Sequence, residues 1–311
     1  MSLGIALTNG LEAVVITDGR SFDSGRKKDS ENKVGRFENS EYHGIVFGAG
    51  NGNLVWGIVN NSKVFQQLPS LDVYVATIHA MHQKQIADSR DTIFQKIQQE
   101  AGARVQVFPG SPEQKQQMLM QDISRRLEEY DKARREGYTS LVVAAFDKNA
   151  KGIRIYYVDE NSKDQTFSDH IEIGSGRDGA NFYFTTKLEG IDCSNLRVKD
   201  LLFCGINAYS MSTVNIGVGG TPKIAIINSN GISILPPEPT RALANVSGAY
   251  LAELEGVNKH DTLLHMGEIL NEKDPQYDVV AEKLGINNET LRTMVIPYSV
   301  WQEKANTRFI G

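Results

Sequence analysis

Cysteine is scarce in this chain: Cys193 and Cys204 are the two thiols in 311 residues. Two cysteines make no disulfide framework, and no Cys-x-x-Cys marks a metal or redox site; both are expected in the core. Long apolar runs are missing as well. No stretch approaches the roughly 18 to 20 consecutive apolar residues of a membrane helix. Met1 to Asp18 lacks the basic region, apolar core and cleavage site of a signal peptide, so a cytoplasmic protein is expected. Nor is there an excess of positive charge. With 33 Lys and Arg against 38 Asp and Glu, the net charge is -5, which gives no electrostatic footprint for nucleic acid or an anionic membrane. What is present is a globular composition, 40% hydrophobic and 23% charged, with room for one large domain or two ordinary ones.

The pattern of residues predicts strands at Leu3 to Leu7 and Ala13 to Thr17, joined by Asn9-Gly10, a dipeptide favoured in tight hairpins. Ser21 to Asn32 is polar and reads as an exposed loop, closed by Lys33. Gly44 to Ala49 is a short apolar strand, broken by Gly50-Asn51-Gly52 before a helical pattern with Leu54, Val55, Ile58 and Val59. Two long antiparallel helices are predicted over about 73 to 99 and 112 to 135, parted by Phe108-Pro109-Gly110-Ser111. Strands follow at Ser140 to Phe146, Gly152 to Val158 and Ile171 to Ile173. After Gly174-Ser175-Gly176 the pattern is helical through Leu188 and again over about 196 to 214. Lys223 to Ile227 and Ile232 to Leu235 close the series.

This order of strands, helix pair, strands, helix pair, strands predicts an α+β fold. Its expected form is a four-layer α/β/β/α sandwich, two antiparallel sheets between helical layers. Pro236-Pro237-Glu238-Pro239 reads as a boundary. The expected division is a domain over residues 2–235 and a mostly helical C-terminal extension over 236–311.

The first hairpin brings chemistry together. Asp18 and Arg20 lie two apart, on one face of a strand end. Ser2 begins the neighbouring strand, and if Met1 is removed its hydroxyl stands beside a free α-amine. An α-amine titrates near 7.7 to 8.0, so about a tenth or more is neutral at pH 7 and can accept the hydroxyl proton. Lys33 would lower the nucleophile's proton affinity by its charge, and Asp18 would hold Lys33 in place.

Ser2-Leu3-Gly4-Ile5-Ala6-Leu7, Val14-Val15-Ile16-Thr17-Asp18-Gly19-Arg20, Lys33-Val34 and Gly44 to Asn51, in that order, resemble the opening of proteasome β-type subunits and their bacterial relatives. That family begins with a mature N-terminal threonine, then a strand, an acid in a D-x-R context and a lysine after a loop. Counted from Ser2, Asp18 falls at the acid's position without a gap, and Lys33 fits after a one-residue deletion. Ile173-Gly174-Ser175-Gly176 is similar to the family's turn before its third helix. Asn215-Ile216-Gly217-Val218-Gly219-Gly220 is similar to its D-x-x-S-G-G segment. The resemblance spans Ser2 to Leu235.

The resemblance implies an amide-bond or peptide hydrolase with Ser2, Asp18 and Lys33 as catalytic residues. It places an oxyanion donor at the backbone near Ala49 and Gly50, and supporting residues at Ser175 and Asn215; Ser175 reads equally as a helix cap. No metal or organic cofactor is implied. Partners would be peptide or unfolded-protein substrate and further copies of the chain in a ring or related assembly. The departures are serine for threonine, which loses a rotamer-restricting methyl, and Asn215 and Val218 at the helper aspartate and serine positions. They keep open a non-catalytic scaffold subunit. Acyl transfer to an amine would use the same acyl-enzyme.

Rival signals are weaker. Gly48-Ala49-Gly50-Asn51-Gly52 lacks the spacing of a dinucleotide fingerprint, since position 53 is Asn. The glycines before Lys223 lack Walker spacing. His79 and His82 lie three apart on a predicted helix, with no third metal ligand evident. Residues 280 to 291 have helix-turn-helix spacing. Glu238 to Gly311 carries 7 basic against 11 acidic residues, which suits a packing or assembly element better than DNA.

Overall fold

The computed structural model describes residues 3–18, 20–23, 26–29, 34–50, 52–61, 67–136, 139–166, 168–188, 191–213, 218, 221–251, 262 and 282. Two five-stranded antiparallel sheets form its centre. The first has the order β10-β1-β2-β11-β12, built from β1 (Leu3–Thr8), β2 (Ala13–Thr17), β10 (His170–Gly174), β11 (Lys223–Asn228) and β12 (Gly231–Ile234). The second runs β5-β6-β7-β8-β9: β5 (Val34–Glu38), β6 (Tyr42–Ala49), β7 (Ser140–Asp147), β8 (Gly152–Val158) and β9 (Lys163–Thr166). Helices α1 (Gly52–Asn61), α2 (Leu71–Gln106) and α3 (Pro112–Glu136) belong to the second sheet's side; α4 (Arg177–Lys187), α5 (Val198–Ser212) and α6 (Pro237–Leu251) belong to the first's.

Strand periodicity sorts the side chains into three cores, and these make the four-layer sandwich. Ala6, Val15, Phe47, Val142 and Ala225 point between the sheets. The alternate positions of the first sheet, Leu3, Ile5, Leu7, Val14 and Ile16, meet α4, α5 and α6. Val46, Leu141, Val143 and Val158 meet α1 and the first turns of α2. Both cysteines are buried in the first sheet's outer core, and burial pushes the Cys193 thiol up to about 11. Glycine sets the closest approach: a Cβ at Gly205 of α5 would lie 2.7 Å from Ile16 Cδ1 and 3.0 Å from Leu7 Cδ1.

The hairpin turns follow from side chains that hydrogen-bond their own backbone. Asn9 Oδ1 accepts from the N–H groups of Leu11 and Glu12, at 2.9 and 2.7 Å, while Gly10 takes φ +88°. Asp147 Oδ1 accepts from the N–H groups of Asn149 and Ala150. Asn228 Oδ1 accepts from Asn230 N–H ahead of Gly231 at φ +129°.

Several expectations are corrected. The predicted loop over 21–32 contains a two-stranded ribbon, β3 (Arg20–Asp23) with β4 (Arg26–Asp29), whose register sets Arg20 opposite Asp29 and Asp23 opposite Arg26. Helix α2 begins at Leu71, with Ser70 as its N-cap, and runs on to Gln106. Strands β5 and β9 are additional. Pro237 opens α6, at the first helical position, where a missing N–H costs nothing. Ala242, Leu243 and Val246 of α6 enter the outer core. A buried polar chain ties it down: Ser247 Oγ donates to Asn207 Oδ1 at 2.6 Å, Ser210 and Ser247 hydroxyls pair at 3.1 Å, and Asn207 Nδ2 donates to Tyr183 Oη at 3.1 Å.

Candidate active site

The pole of the sandwich where β1 begins and β2 ends holds the fully buried carboxyl of Asp18. Asp18 Oδ1 accepts from the backbone N–H of Leu3 at 3.0 Å, and Asp18 N–H donates to Leu3 C=O at 3.1 Å. This reciprocal pair extends the β1–β2 ladder by one step and clamps the peptide group that joins Leu3 to Ser2. A short acid at the strand end can do this because its side chain reaches back to a donor the ladder would leave unmet.

The same pole collects three more of the predicted residues. Leu3 pairs with Gly174 of β10, so Ser175 follows directly beside the start of β1. Gly174 has φ +95°, and α4 is capped at Gly176 without a side-chain hydrogen bond. The N-cap position of α4 is thus the glycine that follows Ser175. Ala49 ends β6 and Gly50 has φ +112°, a left-handed turn that favours glycine and redirects the backbone into α1. Phe47 fixes β6 against β1: a Cβ at Gly4 would lie 2.6 Å from the Phe47 ring. Val34, the residue after Lys33, pairs with Phe47. The chain neighbours of Ser2 and Lys33 thus meet around Gly4, Phe47 and Asp18. Ser2, Lys33 and Asn215 themselves lie outside the described residues.

Two polar residues of this pole escape a reading by motif. Thr17 pairs with Gly4 on one side and with Lys223 on the other. Partners directly opposite share a face, and Val15 and Ala225 on that face point between the sheets. A buried hydroxyl and a half-buried ammonium therefore stand in the row that crosses Gly4. Only the β2–β11 register reveals them. On the opposite face of β10, burial raises the Glu172 carboxyl above its usual range, with the Arg177 charge opposing.

Val218 is 1% exposed and sits against the α4 turn, where its Cγ2 would be 2.5 Å from a Cβ at Gly176. The position that the resemblance gives to a helper serine is thus an apolar contact. Elsewhere, His82 is fully buried on α2, and burial lowers its pKa. Among the described residues no group of three or more His, Cys, Asp or Glu is placed to hold a metal ion, and no helix is long and apolar enough to cross a membrane. The helix-turn-helix spacing at 280–291 lies outside the described residues apart from Glu282.

Comparison with known proteins corrects the family reading. No family model matches the chain, and no curated protein matches it. Among solved structures it is similar to Anbu (ancestral beta-subunit) from Yersinia bercovieri, with TM-score 0.50 and 11% identity over 75% of this chain and 86% of that one. It is similar to a mutant Anbu from Hyphomicrobium sp. in the same degree, with TM-score 0.50, 11% identity, and 76% and 85% covered. At that identity the likeness shows the fold alone. The membership in the proteasome β-type family drawn from the ordered motifs does not stand. What is shared with these Anbu structures is the sandwich fold.

Proposed function

We propose that the chain hydrolyses amide bonds, most simply in peptides or unfolded proteins, with Ser2 as an N-terminal nucleophile exposed by removal of Met1. The Ser2 hydroxyl attacks the carbonyl carbon while the α-amine of the same residue accepts its proton and then delivers it to the leaving amine. The C–N bond breaks, an ester acyl-enzyme forms, and water releases the acid and restores the hydroxyl. Lys33 tunes the nucleophile by its charge. Backbone N–H groups near Ala49 and Gly50 receive the oxyanion, and Ser175 and Asn215 support the site. No step calls for a metal or an organic cofactor. Asp18 is a positioning residue, and it carries the reading: a fully buried carboxyl grips the amide fused to Ser2, a costly placement that an orienting role explains. A cytoplasmic, homo-oligomeric assembly belongs to the same proposal.

Val218 favours a second reading, a non-catalytic assembly subunit, because an apolar side chain fills the place of a polar helper. Intact mass spectrometry with a β-lactone probe separates the two. Hydrolysis predicts a chain lacking Met1 that gains one acyl adduct, and no adduct in Ser2→Ala. A retained Met1, or an adduct unchanged in Ser2→Ala, rules out the N-terminal serine. An unlabelled chain lacking Met1 that still assembles supports the scaffold.

A further inference from the structure

The pole opposite Asp18 carries a cleft of about 550 Å³ where the β1–β2, β7–β8 and β11–β12 turns meet. Leu11 and Phe146 give it apolar wall, and Glu12, Lys148, Lys151 and Asn228 give it charge and amide. Lys148 Nζ is engaged by the Asn39 carbonyl at 2.8 Å. Lys151 is the other cation of the cleft, and its backbone is unusual. Its φ of +54° makes it the one non-glycine residue in the left-handed region among the described residues. That conformation costs an L-residue roughly 1–2 kcal/mol that glycine avoids. The turn would close more cheaply with glycine, so turn geometry alone does not account for a lysine there. Beside it, the Asn228 backbone carbonyl is taken by His43 Nε2 at 2.7 Å and its Oδ1 by Asn230 N–H. Asn228 lines the cleft, and with Oδ1 engaged its side-chain NH₂ is the donor it can offer there.

We infer that this cleft binds peptides by their terminal carboxylate. Lys151 and Asn228 receive the carboxylate, Leu11 and Phe146 the last apolar side chain, and Glu12 an amide N–H of the peptide. The site is separate from the proposed nucleophile, at the far end of β1, a strand of six residues and so about 20 Å long.

The test measures fluorescence anisotropy of a labelled tetrapeptide ending in leucine, as free acid and as C-terminal amide. It uses the Ser2→Ala chain so that the proposed nucleophile cannot consume the probe. The free acid is expected to bind at least tenfold more tightly than the amide, and more weakly as salt rises. Lys151→Gly should lower the free-acid affinity at least tenfold while the unfolding midpoint holds or rises. Lys151→Asn, which also tolerates the left-handed region, should show the same loss. Equal binding of acid and amide, binding of neither, displacement by inorganic phosphate, or unchanged affinity in both Lys151 variants would overturn the inference.

Discussion

Helix α5 buries eleven of its 15 residues, whereas α3, with 25 residues, buries only Ile123 among its described side chains. The first lies flat on β1 and β2, close enough that Gly205 leaves no room for a Cβ. The second packs on the outer two-thirds of α2 through Ile97, Ala101 and Ile123, with Phe94, Leu119 and Leu127 beside them. Ion pairs flank that seam: Arg126 with Glu100 at 2.6 Å, Arg90 with Asp131 at 3.1 Å. Solvent-accessible pairs of this kind contribute about 0–1 kcal/mol each. The contrast teaches where the fold keeps its free energy. The layer that backs the candidate site is locked by burial, and the α2–α3 arm is held by a narrow seam.

Truncating one side chain in each region gives the largest contrast. Leu202→Ala, at a fully buried position of α5, should cost about 3 kcal/mol in global stability by denaturant unfolding. Ile123→Ala should leave the global value within about 1 kcal/mol and instead lower hydrogen-exchange protection in the arm. Equal global losses would erase the distinction between the two regions.

The buried polar chain sharpens the comparison from inside the locked layer. Asn207→Ala removes the group that joins Tyr183 to Ser247, leaving two buried hydroxyls to find other partners. A loss of about 2 kcal/mol is expected, with α6 amides gaining exchange before those of β1. A neutral result would mean that apolar packing alone holds α6.

The smallest effect is expected against pH, at the border between the regions. His82 is the last buried residue of α2 before the arm begins. Burial depresses its pKa, so the unfolded chain takes up the proton first. Its contribution is full above the ordinary value near 6.5 and is lost as pH falls through the folded value. Unfolding midpoints measured from pH 7.5 to 5 should fall in the native chain and fall less in His82→Gln. His170, also lowered by burial, should keep a share of the slope. A slope unchanged in His82→Gln would assign it elsewhere.

The sandwich was legible where local rules and periodicity agree. Asn9-Gly10, Gly231 and the alternation in β1, β2 and β7 mark strands and turns whose chemistry is complete within a few residues. β9 escaped because Lys-Asp-Gln-Thr has no apolar period; it exists because β8 offers an edge to pair with. The ribbon of β3 and β4 escaped for a related reason, since Arg-Ser-Phe-Asp and Arg-Lys-Lys-Asp have no apolar alternation and their pairing is a matter of register. The reach of α2 past residue 99 was hidden by Gly102, whose cost α3 offsets by packing. At the candidate site Asp18 was legible by its place in an ordered set. Its grip on Leu3 N–H and the row through Thr17 and Lys223 depend on strand pairing, which no linear motif contains. Arg154 is the clearest case of long-range chemistry. It holds Asp72 at 2.9 Å and Asp147 at 3.1 Å, and Tyr156 Oη donates to Asp72 at 2.6 Å.

Two bonds cross from sheet to sheet at the pole away from Asp18: Gly10 C=O accepts from Ile153 N–H at 2.8 Å, and His43 Nε2 meets the Asn228 carbonyl at 2.7 Å. They rivet the two sheets together at that pole, whereas at the opposite rim, where β1 begins, the Phe47 ring packed on Gly4 does the fastening.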